Sequence, residues 1–392
     1  ESWPPYTHFM LGLLCAALMG HGPLPEGAQT AIRSSIQRGL ASLEATADPK
    51  GGWLRGTDEP VGRPPEIPIA VSALVLKGVA QFDRELLERP AFQNARALID
   101  QALREDGAFE GGLVTNYVTS CVVSALAVIE GPEDPRVQGG VAWLKAAQWD
   151  GAEGHTPESN WYGGAGYGKH QRPDLSNTQT MLDALRDAGV PPEDEAFQRA
   201  VAFITRAQNR SESNPASWAG DDGGFVYTPA GEGESKVESE AGSLRSYGSM
   251  TYAGFKSLLY AGLDVEDPRV QAALEWLRRH WTLDENPGLG DQGYYYYLHV
   301  MSRALRAFGQ DSITDDSGKV HDWRRELAER LLALQEPDGS WINRKSDRWL
   351  EGESCLATAY AVLALEEVMA SGVTASPSEM VPEPKAPSEA SD

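Results

Sequence analysis

The feature that most constrains this chain is repetition within it. The segment Asp134-Pro-Arg-Val-Gln-Gly-Gly-Val-Ala-Trp-Leu-Lys-Ala-Ala-Gln148 returns as Asp267-Pro-Arg-Val-Gln-Ala-Ala-Leu-Glu-Trp-Leu-Arg-Arg-His-Trp281 and as Asp194-Glu-Ala-Phe-Gln-Arg-Ala-Val-Ala-Phe-Ile-Thr-Arg-Ala-Gln208. Apolar residues fall three and four apart, as at Val137, Val141 and Leu144 or Val270, Leu274 and Leu277, behind an acidic residue or proline suited to a helix start. Weaker copies at Ile32, Ile36, Leu40 and Leu43, at Phe92, Leu98 and Ile99, and at Trp323, Leu327, Leu331 and Leu334 bring the amphipathic helices to six. Units of this kind cannot bury an apolar face alone and must stack on one another.

Each amphipathic helix runs into a turn that pairs glycine with an aromatic residue: Gly51 to Trp53, Gly107 to Phe109, Trp161 to Gly164, Gly223 to Phe225, Gly290 to Tyr294 and Gly339 to Trp341. Glycine frees the backbone for the turn and the ring anchors it to a core. Beyond each turn lies a second helix, apolar nearly all round, over 67–80, 117–129, 177–188, 250–261, 294–308 and 354–366. Such helices are buried on most sides. Six buried helices alternating with six amphipathic ones predict an all-α fold, an α6/α6 toroid or alpha-alpha barrel with almost no sheet, as a single domain over residues 29–372. No polar capping repeat stands at either end, which favours a closed ring over an open solenoid.

Residues 1–28 hold an apolar run, Phe9 to Met19, too short to span a bilayer but suited to the h-region of a signal peptide. They are read as an export leader, giving a periplasmic or extracellular location, with a helix packed on the body as the other reading. Residues 373–392, rich in Pro, Ser and Glu, are expected to be a disordered tail. The net charge of -23, from 57 acidic and 34 basic residues, opposes binding to nucleic acid and to an anionic membrane surface. Cys15, Cys121 and Cys355 have neither metal-ligand spacing nor the density of a disulfide scaffold. Cys121 and Cys355 fall on the second and sixth inner helices, which are not neighbours in a six-membered ring, and read as buried thiols.

Leu334-Gln-Glu-Pro-Asp-Gly-Ser-Trp341 resembles the QW repeat of squalene-hopene cyclases, and the glycine-aromatic turns resemble the matching repeats of protein prenyltransferase β subunits. His170-Gln-Arg-Pro-Asp-Leu-Ser-Asn-Thr-Gln179, Gly248-Ser-Met-Thr-Tyr-Ala-Gly254 and Asn286-Pro-Gly-Leu-Gly290 resemble a bacterial group of prenyltransferase/squalene oxidase repeat proteins, often predicted to be exported. The resemblance covers about residues 30 to 370. It implies the terpenoid cyclase/protein prenyltransferase toroid and an isoprenoid-like substrate. The chain also departs from those families. Class II cyclases use an Asp-x-Asp-Asp acid, whereas Asp221-Asp222, Asp291-Gln292 and Asp311 to Asp316 all have other spacings. Prenyltransferases hold zinc with Asp, Cys and His; Asp291 matches the first, but Gly293 and Ala357 stand about where the others belong. The Asp-Asp-x-x-Asp magnesium motif and the Cys-Gly-Glu-Gln thioester are absent as well. No metal and no cofactor are expected.

Alternation sends every inner helix N-terminus to one mouth of the lumen, where helix dipoles and free N-H groups favour an anionic or polar ligand. The catalytic candidates there are His170, whose ordinary pKa suits proton transfer near neutrality, and the carboxylates Asp174, Asp222 and Asp291. Substrate-binding candidates are Lys169, Arg172, Asn177, Trp161, Tyr167, Tyr252, Tyr294 and Tyr295; each polar one equally suits a helix cap or a solvated loop. Of Tyr294 to Tyr297, one or two must face the lumen and, with Tyr117 and Tyr360, line an aromatic cavity suited to cations or sugar rings. His299, inside the fifth inner helix, reads as a core histidine satisfied by a neighbour. Three functions remain open: an enzyme on an isoprenoid-like substrate, a carbohydrate-active protein, and a non-catalytic binding or scaffold toroid. An open apolar cavity favours the first, paired carboxylates about 5 to 10 Å apart the second, and a plugged lumen the third.

Overall fold

The computed structural model describes residues 24–54, 67–238 and 242–370. The leader, Cys15 and the C-terminal tail therefore lie outside the described residues, apart from residues 24–28. Twelve α-helices alternate along the described chain, and α1 (Glu26–Ala45) already starts within the segment read as leader. The outer helices are α1, α3 (Pro90–Gln101), α5 (Pro135–Ala147), α7 (Glu195–Ala207), α9 (Pro268–Arg279) and α11 (Trp323–Leu334). The inner ones are α2 (Ile67–Phe82), α4 (Thr115–Ile129), α6 (Leu175–Asp187), α8 (Gly248–Tyr260), α10 (Tyr294–Phe308) and α12 (Ser354–Met369). Each inner helix packs on the next and α12 returns to α2, closing the ring. This is the predicted all-α toroid; the sheet among the described residues is one two-stranded ribbon, β1 (Ser312–Thr314) against β2 (Val320–Asp322), antiparallel with Ile313 opposite His321.

Three devices recur around the ring. The repeated aspartates Asp134, Asp194 and Asp267 cap α5, α7 and α9 by accepting from the backbone N-H two residues on, which satisfies an orphan donor of the first turn. A glutamine just past an outer helix then ties its turn to the next outer helix. Gln148 donates to Gly163 O (2.8 Å) and Ala196 O (2.9 Å), Gln208 to Gly223 O (2.9 Å) and Arg269 O (2.8 Å), and Gln335 to Gly339 O (2.8 Å) and Ser35 O (2.9 Å). A threonine in the second turn of an inner helix, Thr119, Thr178, Thr251 or Thr358, accepts from the turn backbone at Phe109, Ala165, Phe225 or Trp341. The turn glycine is needed for two reasons at Gly339: its φ is +88°, and a Cβ there would stand 2.5 Å from Arg38 O of the neighbouring outer helix.

Candidate functional site

The first turns of all six inner helices wall one chamber of about 340 Å³, within the usual range for small-molecule sites. Ile67, Val71, Met250, Leu350 and Leu356 supply aliphatic surface, and Tyr117, Tyr167, Tyr227, Tyr247, Tyr296 and Tyr360 supply aromatic surface. The polar groups are few: Ser176, Asn177, Ser249, Lys236 and Glu351. Tyr117, Tyr296 and Tyr360 form the floor. The Tyr296 hydroxyl lies 3.1 Å from Ser176 Oγ and accepts from Gln179 Nε2 at 3.1 Å, while the Tyr117 and Tyr360 hydroxyls lie 3.4 Å apart. Burial pushes the Tyr296 and Tyr360 phenols far above their usual range, so both stay neutral.

Two long loops, 149–174 and the described parts of the second, 209–238 and 242–247, close over the chamber and are stitched together. Thr228 Oγ1 donates to Pro173 O (2.6 Å), Leu175 N donates to Tyr227 O (2.8 Å), and Arg172 pairs with Glu234. Glu234 also pairs with Lys236, whose ammonium sits 4.0 Å from the centre of the Tyr227 ring. Glu351 accepts from Tyr296 N (2.7 Å) and Asn343 Nδ2 (2.9 Å), so it caps α10 while bordering the chamber. Burial raises its pKa against those bonds. At the rim stand Tyr167, 40% exposed, and Trp349, 42% exposed. Trp349 and Leu350 hold φ values of 57° and 67°, a left-handed backbone that bulky residues adopt only under constraint and that concentrates at ligand sites.

Beneath the tyrosine floor the lumen is closed by charge. Lys77 of α2 bonds Ser124 of α4 (2.9 Å) and Asp187 of α6 (2.7 Å). Lys256 of α8 bonds both oxygens of Asp183 at 2.7 Å, and Arg303 of α10 bonds Asp187 at 2.8 Å and faces Glu367 of α12 at 3.7 Å. All six inner helices thus contribute to one buried network. Burial alone would raise the Asp187 pKa, but Arg303 and Lys77 hold it well below the usual carboxylate range.

A family profile described as the squalene-hopene cyclase C-terminal domain matches residues 63–226. Among solved structures, a variant of the type II terpene cyclase MstE from Scytonema, in complex with geranylgeranyl dihydroxybenzoate (substrate), is 16% identical with a TM-score of 0.53, covering 88% of this chain and 99% of that one. The chain shares the α/α-toroid fold of this cyclase. The same cyclase in its apo form gives a TM-score of 0.51 at 16% identity, over 86% and 97% of the two chains. A family 76 glycoside hydrolase from a bovine Bacteroides thetaiotaomicron strain gives 0.53 at 10% identity, over 85% and 77%. No curated protein sequence gives a significant match.

Within the toroid the sequence candidates separate. Asn177 and Tyr167 border the chamber, as does Tyr296 from the tyrosine run. Asp174 is buried just behind the wall, accepting from Asn177 N and Nδ2 at 2.8 Å each as the cap of α6. The others stand outside the chamber wall. His170 and Lys169 are exposed, and His170 has φ 61° with its ring edge-on to Trp149. Arg172 is engaged by Glu234, and Trp161 stacks on His155. Asp222 accepts from Gly224 N and Ser246 Oγ inside its own turn, and Asp291 pairs with Lys345 at 3.0 Å. Tyr252 meets Tyr297 edge-on, and Tyr294 bonds Arg330 and packs on Tyr295 in the interface with the outer ring. Short polar residues at loop-to-helix junctions default to capping, which explains Asp174 and Asp222. Tyr227, Lys236 and Tyr247 escaped sequence reasoning because their loop has no periodicity to place them.

Among the described residues no group of three or more His, Cys, Asp or Glu is placed to share a metal ion. Gly293 caps α10 with φ 65°, and Ala357 is buried within α12. Cys121 and Cys355 are buried thiols, and burial pushes the Cys121 pKa up to about 12.

Burial also raises the Asp174 pKa from 3.8 to about 6, against the bonds from Asn177 and Tyr227. The folded protein therefore binds this proton more tightly than the unfolded chain, and the associated stability is present below pH 4 and lost as pH rises through about 6. Asp174→Asn keeps a capping side chain but removes the titration. Urea unfolding from pH 4 to 7 should show the variant gaining on the parent by on the order of 3 kcal/mol; parallel curves would contradict a raised Asp174 pKa.

Proposed function

We propose that the protein binds an apolar, isoprenoid-like small molecule in the chamber at the inner-helix N-termini. The carrying observation is the wall itself: six tyrosines and a shell of aliphatic side chains, with one carboxyl group, Glu351, and one ammonium, Lys236. Apolar surface supplies affinity, while a few placed polar groups set orientation. Tyrosine faces also stabilise positive charge that develops in a bound hydrocarbon. Lys236, Asn177 and Ser176 suit the polar end of such a molecule. Glu351 is the carboxyl group in the wall to which proton transfer would fall, without an Asp-x-Asp-Asp acid or a zinc site. The likeness to a cyclase solved with geranylgeranyl dihydroxybenzoate supports the same ligand class.

Sugar cleavage has less support, because general acid-base hydrolysis of a glycoside uses two carboxyl groups flanking the bond and the chamber wall carries one. A purely structural toroid would have no need of an open upper lumen. Organic extraction and mass spectrometry of the natively purified protein, beside a Met250→Trp variant that fills the chamber, tests the proposal. An isoprenoid-like molecule from the parent and none from the variant is expected. A sugar in the chamber, or the same lipid from both proteins, would overturn it.

A further inference from the structure

The hydroxyls of Ser176 and Tyr296 meet in the chamber wall, 3.1 Å apart. A chain of hydrogen bonds rising from the charged layer below fixes which way their protons point. It starts at Lys256, whose ammonium can only donate. Its three N-H bonds go to both oxygens of Asp183 (2.7 Å each) and to Gln179 Oε1 (2.6 Å). With its carbonyl held there, the Gln179 amide has one orientation, and Nε2 donates to Thr180 Oγ1 (2.8 Å) and to the Tyr296 hydroxyl (3.1 Å). Thr180 Oγ1 in turn donates to Ser176 O (2.8 Å), so it takes no proton from the pair. Lys256 and Gln179 are both buried, which shields this order from solvent.

The pair holds two hydroxyl protons, and the bond between them uses one. The Tyr296 oxygen already accepts from Gln179, and a phenol is the more acidic donor of the two. Tyr296 therefore donates to Ser176, and the Ser176 proton is left for the chamber that Ser176 lines. We infer that Ser176 is a specificity-determining donor, and that the chamber takes a neutral isoprenoid carrying an oxygen acceptor, seated on Ser176 Oγ, in preference to the bare hydrocarbon or a diphosphate. The inference rests on the chamber being an isoprenoid site. Water can meet the Ser176 proton while the chamber is empty. An apolar body displaces that water, and a donor then left without a partner costs affinity; a ligand oxygen at that point restores the bond. Charge works against a diphosphate. Lys236 and Arg172 share Glu234, and Lys236 also feels the Asp174 carboxyl behind the wall, so these cations are already matched.

Three farnesyl probes of one skeleton separate the possibilities: farnesyl methyl ether, which accepts and cannot donate, β-farnesene, which does neither, and farnesyl diphosphate. Each is titrated into the full chain, stripped of bound lipid on a hydrophobic resin, and into Ser176→Ala. The parent should bind the ether roughly 5- to 100-fold more tightly than farnesene, and the diphosphate more weakly than the ether. In Ser176→Ala the ether should fall to the level of farnesene, while farnesene itself binds as it does to the parent, which shows that the chamber is intact. Farnesene and ether bound equally by the parent, a preference for the ether that survives in Ser176→Ala, or the diphosphate bound most tightly would overturn the donor role and leave the apolar chamber standing. Failure of the parent to bind any of the three would overturn the isoprenoid site itself.

Discussion

Asp183→Ala is expected to destabilise the protein by about 3–5 kcal/mol, because removing one partner leaves buried charge uncompensated. Asp183 is 7% exposed and accepts both 2.7 Å bonds from Lys256, which is itself fully buried. Without it, Lys256 keeps only Gln179 at 2.6 Å as an acceptor, and Arg303 loses a carboxylate 3.5 Å from Nε. Burial already lowers the Lys256 pKa to about 8, against the support of Asp183; the folded variant should therefore shed that proton within the neutral range while the unfolded chain keeps it, so that the variant's stability rises as pH increases above neutrality. With typical stabilities of about 5–15 kcal/mol, the single variant stands close to unfolding. The double variant Asp183→Leu/Lys256→Met removes both charges and should recover most of the loss, a coupling that a double-mutant cycle in urea measures directly. Equal stability of Asp183→Ala and its parent would mean that the charge plug does not hold the lower lumen together.

Trp341→Ala should cost about 3–5 kcal/mol, the range for truncating a buried tryptophan. Trp341 is fully buried, and its Nε1 donates to Leu331 O at 2.8 Å, so the change opens a cavity and also orphans the end of α11. Trp53 occupies the equivalent place in the first repeat, 1% exposed, with Nε1 donating to Leu43 O at 2.9 Å. Trp53→Ala should therefore lose a similar amount. Urea midpoints that fall together with unchanged slopes would bear this out. A loss at one site and none at the other would break the equivalence of the repeats.

The ring was legible because its information is local and periodic. Val137, Val141 and Leu144 mark a helix by spacing alone, and the glycine-aromatic turn at Gly339 to Trp341 announces where the chain reverses. Six repetitions of that pair leave few ways to bury every apolar face. The mouth as the place for a chamber followed from the same alternation, as did a tyrosine from the run 294–297 turned into the lumen. What sequence could not show was pairing across the ring. Lys77 and Asp187 lie 110 residues apart, and no spacing in the sequence marks them as partners; only closure of the ring brings them within 2.7 Å. The aspartates at helix starts drew attention as acids, but Asp174 and Asp222 spend their lone pairs on nearby N-H and hydroxyl groups. The groups that do border the chamber from the loops, Tyr227, Lys236 and Tyr247, sit where no spacing rule applies.

The most direct measurement is calorimetric titration of the stripped protein with farnesol, beside Met250→Trp. The chamber predicts saturable binding to the parent with a negative heat-capacity change, the mark of apolar surface leaving water, and loss of that binding in a variant that still unfolds cooperatively. Binding of equal strength to both proteins, or none to the parent, would contradict a ligand site at the inner-helix N-termini.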